Sequence, residues 1–116
     1  MDINEEDLNM VFKIPDNLEY EVDKDGIVTV LEKQDHKIQK FFRKLRFKIP
    51  QYKKITMDEF GSYVFLQIDG SKTVEDIGKN LEKKYGDKVQ PLYERLLIFL
   101  NYIETNCHYI EKTDLQ

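Results

Sequence analysis

Catalysis needs reactive side chains within reach of one another, and this sequence offers few. Cys107 and His108 are chain neighbours, a thiol beside an imidazole, the two groups from which a nucleophile and its base are made. If Cys107 to Ile110 form a terminal strand, however, adjacent side chains point to opposite faces, and no third group stands in line to orient the base. The other histidine, His36, lies far away in a basic stretch. Asp and Glu together number 22, but no two of them share an apolar setting that would drive their pKa values apart. The five glycines, at 26, 61, 70, 78 and 86, are dispersed and form no phosphate-cradling loop. The sequence thus predicts no catalytic residue, no cofactor site and no metal site, and the chain reads as a non-enzyme.

The chemistry left is that of binding. Residues 37–54 hold eight basic side chains and no acidic one, although the whole chain of 116 residues carries a net charge of −4. The rest therefore sets ten basic residues against all 22 acidic ones, a strong asymmetry. Within the run, Ile38, Phe41, Phe42 and Leu45 recur at helical spacing, Asp35 is placed to cap, and Pro50 to terminate. A basic amphipathic helix over 36–48 has three readings. It is a solvated face whose phenylalanines join the core. It is a docking surface, through Lys40, Arg43 and Lys44, for an acidic partner. Or it is a contact for nucleic acid or an anionic membrane surface through Phe41, Phe42 and the lysines.

Around this run the elements follow from local signals. Leu18 to Val22 alternates apolar and acidic residues, and Ile27 to Leu31 is β-branched and apolar. Asp25-Gly26 between them marks a hairpin. Residues 52–57 read as a third strand, with Tyr52, Lys54 and Thr56 on one side and Lys53, Ile55 and Met57 on the other. Thr56 with Glu59 reads as a capping box opening a helix that Asp69-Gly70 stops. Thr73 with Asp76 opens a second, whose inner face is Val74, Ile77, Leu81 and Tyr85 and which Gly86 ends. A third follows Pro91, with an inner stripe of Leu92, Leu96, Phe99 and Ile103 and an adjacent one of Tyr93, Leu97 and Leu100, and Asn106 can stop it. Glu75, Asp76, Glu82, Glu94 and Glu104 on these last two helices would repel phosphates, which counts against nucleic acid. An α+β domain results: a winged-helix-like three-helix bundle with an N-terminal β-hairpin plus a short third strand.

Its expected limits are residues 18–111, with a basic helical insertion at about 36–50, an acidic N-terminal arm over 1–17 and a tail over 112–116. Met10, Val11, Phe12 and Ile14 in the arm form an apolar patch to dock on the body or on a partner. The apolar fraction of 41% suits a folded globular chain, and its one cysteine suits a reducing compartment. The acidic N-terminus does not resemble a secretory signal, and no apolar run is long enough for a membrane span. A cytoplasmic protein is expected. The excess apolar surface of the last helix also fits a homodimer.

The run Ile68-Asp69-Gly70-Ser71-Lys72-Thr73-Val74-Glu75-Asp76-Ile77 resembles the signature of PqqD-like proteins, a helix ending in Asp-Gly, a basic link, then Thr-Val with isoleucine three residues on. Ile55 to Glu59, Tyr93 to Ile103 and Tyr109-Ile110 resemble the family's neighbouring segments, so the resemblance spans roughly residues 18–111. It implies a non-catalytic module that holds the leader of a precursor peptide, as the recognition elements of ribosomally made, modified peptides do. It presents that leader to a modifying enzyme, often a radical SAM enzyme. The leader adds as a strand to the third strand and packs on the third helix. Carried onto this chain, the edge is Lys53, Lys54, Ile55, Thr56 and Met57, the side-chain pockets are Tyr93, Leu97 and Leu100, and the two lysines favour an acidic leader. The basic stretch 36–48 departs from the family, which passes quickly from its second to its third strand; the insertion either covers the groove or extends it.

Overall fold

The computed structural model describes residues 3–33 and 52–113. The basic stretch expected as a helix over 36–48, with Lys40, Arg43 and Lys44, and His36, lies outside the described residues. The described elements are α1 (Glu5–Asn9), β1 (Phe12–Lys13), β2 (Glu19–Val22), β3 (Val28–Lys33), β4 (Tyr52–Thr56), α2 (Glu59–Gln67), α3 (Val74–Tyr85), a 3-10 turn (Gly86–Val89), α4 (Leu92–Thr105) and β5 (Glu111–Lys112). The protein is α+β, with two small antiparallel sheets, β2-β3-β4 and β1-β5.

The hairpin forms where the Asp-Gly signal puts it. Asp23 Oδ1 accepts from the N–H groups of Asp25 and Ile27 at 2.8 and 3.0 Å, and Gly26 takes a positive φ of 82°. That loop sets the register, with Tyr20 opposite Val30 and Val22 opposite Val28. On the other side of β3, Val30 faces Ile55 and Glu32 faces Lys53. Strand alternation then gives the sheet one face of Val28, Val30, Ile55 and Met57. Val28 and Val30 are fully buried, and Phe65 of α2 meets Tyr20 of β2 edge-on with ring centroids 5.0 Å apart.

Asp58, not Thr56, caps α2: its Oδ1 accepts from Gly61 N–H at 2.7 Å, while the Thr56 hydroxyl is taken across the sheet by Thr29 at 3.0 Å. Thr73 caps α3 with Asp76 in a reciprocal capping box. The α2–α3 turn is tied by Asp69, whose carboxylate binds the Lys72 ammonium at 2.8 Å and the Ser71 and Lys72 N–H groups; these, the lysine foremost, hold it well below the usual carboxylate range. Asn80 Nδ2 donating to Gln67 Oε1 at 2.7 Å, and the Tyr85 hydroxyl donating to Glu59 at 3.1 Å, link the two helices along their length.

On α4 the buried stripe is Leu92, Leu96, Leu100 and Ile103. Leu100, expected on the second stripe, lies in the core at 1% exposure, and Phe99, expected on the inner one, is half-buried beside it. The N-terminal segment is docked rather than loose. Phe12 is buried, the Phe12 and Met10 carbonyls accept from the Gly70 and Val74 N–H groups, both at 3.0 Å, and β1 pairs with β5. Cys107 to Ile110 form a turn after α4 instead of a strand; Tyr109 and Ile110 return to the core, and the strand begins at Glu111.

Candidate functional site

The bond from Met57 N–H to the Val28 carbonyl, 2.9 Å, sets the phase of the β3–β4 ladder. Residues of an antiparallel strand alternate the side to which both backbone polar groups point. Ile55 and Lys53, in phase with Met57, turn theirs to β3. Lys54 and Thr56 turn theirs away, and among the described residues no strand pairs with them. Lys53, Lys54 and Thr56 are exposed, and Ile55 and Met57 are half-buried. This edge is a row of backbone donors and acceptors open to an incoming strand. The opposite edge, β2, carries Glu19 and Glu21, both exposed, so the two edges differ in charge.

The helix side of the site follows from α2. Phe60, in its first turn, meets Phe99 of α4 edge-on with centroids 5.9 Å apart, and the Arg95 guanidinium lies 4.9 Å over the Phe60 ring. A Cβ on Gly61 would come within 3.1 Å of Phe99, so glycine permits this approach. Arg95, Phe99 and Tyr102 share one side of α4 by helical spacing. Tyr102 is 56% exposed. Cys107 lines a depression with Asn17, Leu18, Glu19, Leu31, Glu32 and Tyr109, on the β2 side of β3. Phe99 thus lies beside the first turn of α2, which follows β4.

Tyr93 sits on Gly78 of α3 and its hydroxyl reaches the Glu75 carbonyl at 3.4 Å. Leu97 and Leu100 line a depression with Asp7, Met10 and Phe12 of the N-terminal segment. They face α3 and the arm. The signal for Tyr102 was present as an apolar residue off the core stripe, but its orientation depends on which stripe the core takes.

No catalytic geometry appears among Cys107, His108 and their neighbours. Burial pushes the Cys107 thiol up, away from the reactive thiolate. His108 is exposed at a positive φ of 59°. Burial, then the hydrogen bond to the Glu32 carboxylate, raises Tyr109 well above its usual 10.0. Among the described residues no group of three or more His, Cys, Asp and Glu could hold a metal ion, and no helix is long and apolar enough to cross a membrane.

A family model described as "Coenzyme PQQ synthesis protein D (PqqD)" matches residues 50–107. The chain belongs to the PqqD family. The match begins just before β4 and ends just after α4, so the two walls of the site lie within the family's own segment. PqqD proteins are non-catalytic accessory proteins that bind a precursor peptide in peptide-modifying pathways. Neither the curated proteins nor the solved structures contain a match to the chain.

Proposed function

We propose that the protein holds the leader of a precursor peptide as an added strand on β4 and presents it to a modifying enzyme of the radical SAM kind. The observation that carries this reading is the edge of β4 at Lys54 and Thr56, with which no strand among the described residues pairs. Main-chain hydrogen bonds to Lys54 and Thr56 supply affinity without reading sequence. Lys53 and Arg95 favour acidic side chains, and Phe60, Phe99 and Tyr102 take apolar ones, so the ligand is an extended peptide that alternates acidic and apolar residues. Ile55 and Met57 then act by holding β4 against the core.

The test is a titration of labelled protein with extended acidic peptides from precursor genes near its own, followed residue by residue in NMR. Shifts at residues 53–57, Phe99 and Tyr102 are expected. Shifts that leave β4 unmoved while another surface responds would show strand addition to be the wrong mode.

A further inference from the structure

Between α1 and α4 is a depression of about 350 Å³. Met10, Phe12, Leu97 and Ile98 give it an apolar floor and wall, and Ile98 is 59% exposed. Asp7 and Glu104 stand at its rim with Lys112. It continues along α1 past Glu5 and Glu6, sharing Met10 and Lys112 with the neighbouring depression. The surface is therefore apolar within and acidic at its margin, the reverse in charge of the β4 edge.

The backbone here is already used. Phe12 and Met10 carbonyls accept from Gly70 and Val74, Thr113 N–H donates to Val11, and β1 and β5 pair with each other. The outer edge of β5 at Lys112 is only two residues long, too short to hold an added strand by itself, and recognition rests on side chains. Apolar side chains entering between two helices, with cations spaced to meet a carboxylate rim, is the pattern of a helix laid in a groove. We propose that this depression docks a basic amphipathic helix of a partner protein, at a surface separate from the β4 edge. A peptide on β4 and a helix between α1 and α4 would then use separate surfaces, since no β4 residue lines this depression, and the protein could hold both at once.

The experiment uses the full chain and a short synthetic leucine–lysine peptide with leucines at helical spacing. Its controls are the same composition in shuffled order and a leucine–glutamate counterpart. Shifts at Asp7, Met10, Leu97, Ile98 and Glu104, absent with both controls, are expected. Ile98→Asp removes the exposed anchor while leaving the rim acidic, and Glu104→Lys removes a rim charge; each should weaken binding about tenfold. Neither change touches the Asn4–Asp7 capping box, and melting curves check that each variant folds. Binding of the acidic peptide to β4 should be unchanged in both, which separates this proposal from the preceding one. Equal binding of the shuffled peptide, or shifts spread over Glu19 and Glu21, would overturn it as mere attraction of opposite charges. A dimer in sedimentation that Ile98→Asp dissociates would give the surface to a second copy. A gain in peptide affinity on replacing Lys40, Arg43 and Lys44 by glutamate would give it to the chain's own basic stretch. Either result overturns the proposal.

Discussion

Met57 donates its N–H to the carbonyl of Val28 at 2.9 Å, while the Val28 N–H, left without a strand partner at that point, donates to Ser62 Oγ at 2.9 Å. The two bonds mark where β4 leaves the sheet and α2 takes over. They also decide which β4 amides are committed to the fold and which remain for a ligand.

Proline substitution reads that division directly. Lys54→Pro removes an outward N–H and is tolerated at an edge. It should leave the melting temperature nearly unchanged and weaken an extended acidic peptide at least tenfold. Ile55→Pro removes an N–H that serves the β3 ladder and strands the Val30 carbonyl, at a cost of about 1–3 kcal/mol. Thermal unfolding with a parallel titration separates them, and full peptide affinity in folded Lys54→Pro would remove strand addition.

Ser62 is a buried polar residue at 1% exposure whose partner is the Val28 N–H. Ser62→Ala keeps the volume nearly constant but leaves that donor unpaired. The expected loss is about 1–3 kcal/mol in urea unfolding, against a few tenths for Ser71→Ala at an exposed turn. Ser62→Thr should recover little, because its extra methyl meets a filled core.

These two sites show where local sequence suffices and where it does not. The Thr73–Asp76 box and the Asp25-Gly26 hairpin depend on residues within a few positions, and both stand where their spacing puts them. Thr56 has the same local qualifications as Asp58, but its hydroxyl is claimed by Thr29 on another strand, a partner that spacing does not reveal. The phase of α4 was open for a similar reason. A helix apolar on nearly every side does not name its own inner stripe, and Leu100 joins the core to which the N-terminal segment adds Phe12. The β1–β5 pair, two residues on each strand and joined across the length of the chain, has no periodicity to read.

Gly78 tests the placement of Tyr93. A Cβ there would come within 2.3 Å of the Tyr93 ring, so alanine forces the ring to move. Gly78→Ala should cost about 1–3 kcal/mol by overpacking, although alanine is the better helix former. Adding Tyr93→Leu should return much of that loss, a coupling a double-mutant cycle measures. Additive losses would mean that the ring is not held against α3.

Tyr109 provides a pH dependence whose sign is fixed. Burial and the Glu32 carboxylate favour its neutral phenol, so its folded pKa lies above the usual 10.0. Tyr85 and Tyr93 shift the same way, burial being the largest cause in each. In the unfolded chain these hydroxyls lose their protons near pH 10. Below that pH both states are protonated and the contribution is fully present. As pH rises from about 10 towards the folded values, the unfolded state sheds protons first and stability falls. Tyr109→Phe should lower stability at pH 7 by about 1 kcal/mol, through the lost hydrogen bond to a charged group, yet flatten the alkaline decline because one proton fewer is released on unfolding. Urea midpoints at pH 7, 10 and 11 for both chains measure this. An equal slope in the two would mean that the Tyr109 hydroxyl ionises as freely in the folded protein as in the unfolded chain.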